Sequence, residues 1–291
     1  EINKLKKEDL DFIIIIQVTF TDSSTLLKIA SCLEKPIGIW AFPEPRQSGR
    51  LRLNAFCGLN LASHTLGLNN IPFSWIYENP ENIEETKFEI LINSNNSQRP
   101  EKILEIPSLG SKKAKSIKEK IHNFKIGKIG SHPDGFDTCK YDQKKLMGLC
   151  GITVDEIEID TFLNNSRNVK SEVIEPTLNK LKRTISSLKE VNQKELILSL
   201  KLEKSLKKLK EDGTYNAFAI RCWPEMFTEY GGAICAPASM LTENKVPCAC
   251  EADVYGAVTQ LILQEVSEQP VFLTDIVDID VDDDTGVFWH C

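Results

Sequence analysis

At 291 residues, 41% of them hydrophobic, the chain has material for more than one buried core, and two domains or more are expected. A formal net charge of −7 supplies no general attraction to nucleic acid or to an anionic membrane, so neither is expected as a partner. Nine cysteines, odd in number and without a C-x-x-C pair, argue for reduced thiols in a cytoplasmic protein and against a secreted disulfide framework.

The chain begins at Glu1 and not at methionine, so a start further upstream is expected, and a targeting peptide there stays open. Its longest apolar run, "FIIIIQV" from Phe12, falls far short of the roughly 20 residues that span a bilayer and is expected to be a buried strand. The pattern "SSTLLKIASCLE" reads as a helix and Ile37–Phe42 as the next strand. From Pro107 to Asn123, "PSLGSKKAKSIKEKIHN" reads as a solvated basic helix joining two domains. Lys125–Gly130, "DQKKLMGLC" and Ile152–Ile159 repeat the strand–helix–strand alternation, and such alternation points to an α/β protein with parallel sheets.

Between Glu175 and Gly213 the period becomes helical. Pro176 suits a first turn, Leu178, Leu181, Ile185 and Leu188 share one face, and after a break near Val191 the spacing resumes at Leu198, Leu202, Leu206 and Leu209, with Gly213 as the stop. "NAFAIRC", "VPCACE" and "PVFLTDIV" read as strands, with "ADVYGAVTQLILQEV" as a helix, and the acidic run from Asp278 to Asp284 as a solvated turn or short hairpin. These boundaries give an N-terminal α/β domain over residues 1–124, a second over 125–268, and at 269–291 the start of a third, β-rich domain.

In open α/β sheets, ligands gather outside the carboxyl ends of the strands. Four such ends carry polar groups: His132, Asp134 and Asp137; then Arg221, Trp223 and Glu225; then Glu251; then Asp275. Glu251 is either a ligand or acid–base group, or an anion capping the helix that follows. Asp275 is either its partner or the start of a turn. Together they offer hard oxygen donors of the kind that suit Mn²⁺ or Mg²⁺. His290 in "GVFWHC" and His64 suit a core position, and Arg221 suits either substrate or a salt bridge. Arg46, Arg50 and Arg52 in "PEPRQSGRLRLN" can grip an acid group or form ion pairs at an interface. No P-loop, dinucleotide fingerprint, G-x-S-x-G elbow or H-E-x-x-H motif occurs.

The stretches "WAFPEPRQSGRLRLN", "GSHPDGFDTC", "AFAIRCWPE", "PCACEADVYGAVTQLILQ" and "VFLTDIVDID" with "GVFWHC" together resemble the L-fucose isomerase-like family, related to L-fucose and L-arabinose isomerases. The resemblance implies two α/β domains followed by a closing, largely β domain, most of which is expected to lie beyond Cys291. It further implies a divalent metal, commonly Mn²⁺, with Mg²⁺ or Co²⁺ as substitutes, held by Glu251, Asp275 and His290. It makes Glu251 and Asp275 the catalytic pair of a sugar aldose–ketose isomerase working through an enediolate. Arg221, Trp223, His132 and Asp134 would line the sugar site, and the protein would be a homo-oligomer. The rival expectations are a non-catalytic sugar-binding or assembly protein on the same frame, or a metal-dependent epimerase or lyase.

Overall fold

The computed structural model describes residues 1–47, 49–93 and 112–290. The first part of the basic stretch, residues 107–111, and Cys291 lie outside the described residues. The chain divides into two compact units. One comprises Glu1–Ile106, Asp134–Thr138 and Thr274–Cys291, the other Pro107–Pro133 and Cys139–Leu273.

The first unit begins with α1 (Ile2–Leu5), β1 (Ile13–Gln17), α2 (Ser24–Leu33), β2 (Ile37–Ala41), α3 (Ala55–Leu68), β3 (Phe73–Tyr77) and α4 (Glu85–Asn93). The three strands form a parallel sheet in the order β1-β2-β3. Ile37, Ile39 and Ala41 of β2 are buried against Leu26 and Ala30 of α2 and Leu59, Ala62 and Leu66 of α3. Gly38 points the other way, where an added Cβ would lie 2.8 Å from a Leu91 methyl and 2.9 Å from the Phe12 ring. A side chain there would displace α4. β1 corrects the expectation of a buried strand: among the described residues it is an edge, alternating in burial, with Ile16 50% exposed. An apolar run alone does not distinguish a strand covered on both faces from one covered on a single face.

The second unit contains α5 (Lys112–Ile121), β4 (Lys125–Ile129), α6 (Gln143–Cys150), β5 (Thr153–Ile157), α7 (Ile159–Arg167), α8 (Ser171–Thr184), α9 (Gln193–Gly213), β6 (Ala217–Ile220), α10 (Cys235–Glu243), β7 (Cys248–Ala249) and α11 (Val254–Ser267). Its four parallel strands run in the order β5-β4-β6-β7. Along β6 the side chains alternate between two cores: Phe218 and Ile220 pack with Phe162, Leu202 and Leu206, while Ala217 and Ala219 pack with Leu146, Ala257 and Leu261. Helices therefore cover both faces, which is why β6 reads as uniformly apolar.

Local chemistry sets the helix ends. Asp142 caps α6 by accepting from the N–H groups of Lys144 and Lys145, and Asn192 does the same for α9 with Lys194 and Glu195. The break near Val191 is a short 3₁₀ turn, Ser186–Glu190, between α8 and α9. Pro176 is a correction: α8 starts at Ser171, so the proline lies inside the helix, and the carbonyl of Glu172 loses its backbone donor. Gly213 ends α9 because the Tyr215 ring folds back over it, 2.1 Å from where a Cβ would be, and Thr214 takes the left-handed conformation at φ 55°.

Lys125 at the start of β4 holds Asp155 of β5 at 2.6 Å, and the Tyr215 hydroxyl donates to the same carboxylate at 3.0 Å. These bonds, the lysine first, hold the Asp155 carboxyl below its ordinary range. A depressed carboxylate pKa stabilises the fold above its unfolded value, and that contribution is lost as pH falls through the folded value. With 41% of the Asp155 side chain exposed, the contribution is at most about 1 kcal/mol. Urea unfolding is expected to show Asp155→Asn less stable than wild type at about pH 6, with the gap closing towards about pH 3.

The last elements return to the first unit as an antiparallel hairpin of β8 (Asp275–Asp280) and β9 (Thr285–Trp289). The strand expected over "PVFLTDIV" starts only at Asp275, so Asp275 opens a strand where the sequence suggested it closes one. The acidic run forms a short hairpin with an exposed turn at Asp282, Asp283 and Asp284, as expected, and the correction concerns Asp278 alone. Asp278 is buried, with its side chain 3% exposed; Arg46 reaches it at 2.7 Å and Asp280 at 3.3 Å, and the Tyr77 hydroxyl donates to it. Desolvation, then that hydrogen bond, pushes the Tyr77 phenol upward. Among the described residues no helix is long and apolar enough to cross a membrane.

Candidate active site

At the end of β6 the chain turns through Arg221, Cys222 and Trp223. Arg221 Nε bonds the Glu225 carboxylate at 2.7 Å, and Nη1 donates to the carbonyls of Ser131 and His132 at 3.1 and 3.2 Å. The arginine thus ties the loop after β6 to the loop after β4, and the pairing draws the Glu225 carboxyl below its ordinary range. Gly130, at φ 72°, makes room for it: a Cβ there would be 3.0 Å from that of Arg221. Of the two roles that the sequence leaves open for Arg221, this geometry displays the salt bridge. Trp223 is half-buried against the core around Phe218 and Met226. His132 is half-buried in the same unit, and Asp134 is exposed in the first unit.

Beside this loop, β7 leads into Cys250 and Glu251. Glu251 and Ala252 both adopt left-handed backbone, each at φ 53°, while the Ala252 N–H donates to the Ile220 carbonyl at 3.0 Å and ties the turn to β6. Neither residue is glycine, so the turn is strained in the sense that favours a functional position. The capping alternative for Glu251 falls away, because Asp253 caps α11, accepting from the Gly256 N–H at 2.9 Å. Its carboxylate faces thiols instead: Cys222 Sγ lies 3.5 Å from Glu251 Oε1, and the Cys222, Cys250 and Glu251 donor atoms are all within 4.8 Å of one another. Its hydrogen bond to Cys222, then desolvation, pushes the Cys250 thiol far upward. Both cysteines next to the carboxylate are missed if the sequence is searched only for C-x-x-C spacing.

In the first unit, Asp275 stands opposite Trp289 in the hairpin register, and Asp275 Oδ2 lies 3.8 Å from His290 Nδ1. Desolvation pushes the Asp275 carboxyl upward and His290 pulls it back. Cys57 of α3, donating to the Ile276 carbonyl at 3.4 Å, is pushed up to about 12 by burial and then by the charge of Asp275. His290 is therefore neighboured by a carboxylate and not by an apolar core alone. A carboxylate with an adjacent imidazole, and a carboxylate released from capping, have the donor chemistry that a divalent metal requires. The two thiols beside Glu251 are softer donors than Mn²⁺ prefers.

Comparison with known proteins adds to this geometry. Residues 1–97 match the family model for the fucose/sulfoquinovose isomerase N-terminal domain. The chain is 26% identical over 291 residues to a sulfoquinovose isomerase of Priestia aryabhattai, covering all of this chain and 61% of that protein. It is 27% identical over 285 residues to one of Alkalicoccus urumqiensis, covering 97% and 59%, and 26% identical over 281 residues to one of Clostridium sp. strain MSTE9, covering 96% and 59%. The chain spans about three-fifths of the length of these curated relatives. Sequence motifs, parallel-sheet architecture and these matches point the same way, and the chain is similar to proteins of the L-fucose isomerase-like family.

Proposed function

We propose that this chain forms part of a divalent-metal-dependent sugar isomerase that interconverts an aldose and a ketose, with sulfoquinovose as the first substrate to test. The observation that carries the reading is Glu251, whose carboxylate sits at a strained strand end while Asp253 caps the helix. The names of the relatives supply the reaction class and the sugar. Glu251, Asp275 and His290 are the proposed metal donors. When bound, the cation, Mn²⁺ first, polarises the sugar carbonyl and stabilises negative charge developing on the neighbouring oxygens.

The protein groups do the rest. One carboxylate of the pair Glu251 and Asp275 takes the proton from the carbon next to the carbonyl, and a carboxylate returns it to the other carbon. Arg221 positions the two loops, Trp223 and His132 belong to the proposed sugar surface of the second unit, and Asp134 to that of the first. Assembly into a homo-oligomer is carried as part of the same proposal.

The test is incubation of the protein with Mn²⁺ and sulfoquinovose in D₂O, followed by NMR. The expected result is a ketose carrying deuterium at the carbon that received the proton, as transfer through an exchangeable carboxyl requires. Absence of ketose overturns the isomerase reading, and ketose without any deuterium overturns the proton-transfer mechanism.

A further inference from the structure

The loop between β2 and α3 is closed by a single carboxylate. Glu44 accepts from the backbone N–H groups of Arg52, Leu53 and Asn54, the last two at 3.0 Å. Within this closed loop the three arginines fare differently. Arg46 is taken up by Asp278 and Asp280, whereas among the described residues Arg50 and Arg52 make no ion pair. Both are exposed, and with Leu51 and Trp289 they line a cavity of about 390 Å³. An adjoining cavity of about 320 Å³ runs from Arg50 past Val277 and Trp289.

Arg50 and Arg52, both exposed, open onto one cavity and bring two positive charges to it without a described counter-charge. The chain is acidic, yet no described carboxylate supplies one. Trp289 adds an aromatic surface, 43% exposed, of the sort that packs against the C–H face of a sugar ring. Its register partner is Asp275, and directly opposed residues of an antiparallel pair project from the same face. Trp289 thus borders the cavity of Arg50 and Arg52 and is opposed by Asp275 across the hairpin.

We propose that Arg50 and Arg52 form an oxyanion subsite that, with Trp289 as the platform for the ring, selects sugars bearing a terminal tetrahedral acid group over neutral sugars. The inference rests on the isomerase reading and names the substrate class of that site. Guanidinium forks match the oxygens of sulfonate and phosphate alike.

The test is calorimetric titration, with Mn²⁺ present, of wild type and of the double variant Arg50→Gln/Arg52→Gln with sulfoquinovose, glucose 6-phosphate and 6-deoxyglucose. Wild type is expected to bind sulfoquinovose roughly 10- to 100-fold more tightly than 6-deoxyglucose, from two charge-assisted contacts. The double variant is expected to lose that preference while binding 6-deoxyglucose and Mn²⁺ as wild type does. Equal affinity for glucose 6-phosphate supports an oxyanion subsite and assigns it to phosphate and sulfonate together; weaker affinity supports it and assigns it to sulfonate. A double variant that keeps the preference overturns the proposal, as does a wild type without one, including a wild type that binds no sugar. Turnover of 6-deoxyglucose without preference removes the subsite and leaves the isomerase standing, so the two readings fail separately.

Discussion

Glu251→Gln is expected to abolish the heat of Mn²⁺ binding and to lower isomerisation by about 10²- to 10⁴-fold, the range that a positioned acid–base group contributes. The substitution keeps the shape of the side chain and removes its charge. It leaves the Asp253 cap, the Ala252 to Ile220 hydrogen bond and the left-handed turn in place. The amide oxygen can still accept from Cys222. Thermal stability should therefore stay close to wild type, and a loss of both metal and activity would locate the effect in the carboxylate itself. Retained stoichiometric Mn²⁺ binding would show that Glu251 is no ligand, and retained turnover that it moves no proton. Asp275→Asn should weaken the same binding event, because Asp275 is the proposed second donor.

Phe218→Ala is expected to destabilise the second unit by about 3–5 kcal/mol, as truncations of buried aromatics do when the surroundings relax only partly. Phe218 is fully buried on β6, with its ring centroid 5.4 Å from that of Tyr215. It also fills the space above Gly127, where a Cβ would come within 2.8 Å of the ring. The residues beyond it on β6 lead into Arg221 and Cys222, so the cavity would loosen the strand that positions the candidate site. Urea unfolding should show a lower midpoint with an unchanged slope. A loss under about 1 kcal/mol would mean that Phe162, Leu202 and Leu206 close the gap.

The parallel strands were legible where both faces are covered. β6 carries apolar residues at all four positions because neither face meets water, and such a run stands out. α3 was not legible as a helix: "AFCGLNLASHTLGL" buries small residues around much of its circumference and so lacks a clean apolar stripe. α7 and β3 were also missed, α7 being short and mixed in polarity and β3 too short to show a period. Of the two proposed carboxylates, Glu251 follows a strand as its sequence suggested, whereas Asp275 opens β8 instead of closing a strand, because the apolar run before it is not paired into a sheet. The burial of Asp278 was not legible, because its partners Arg46 and Tyr77 are remote in sequence, and acids in a row look solvated until an arginine is seen to reach them. Nor was the role of Glu44, since a carboxylate that gathers backbone N–H groups leaves no periodic trace.

The buried Asp278, gripped by Arg46 and Tyr77, has a consequence for synthesis. The loop and strand that hold it leave the ribosome early, and the hairpin that carries it leaves only after the second unit has been made. Vectorial synthesis therefore presents an N-terminal sheet whose arginine and tyrosine wait for a distant carboxylate, while the intervening four-stranded unit has every one of its strands to hand. Completion of the first unit is gated by translation of residues 274–290, and a nascent chain halted before them exposes Cys57 and the α3 surface that the hairpin covers.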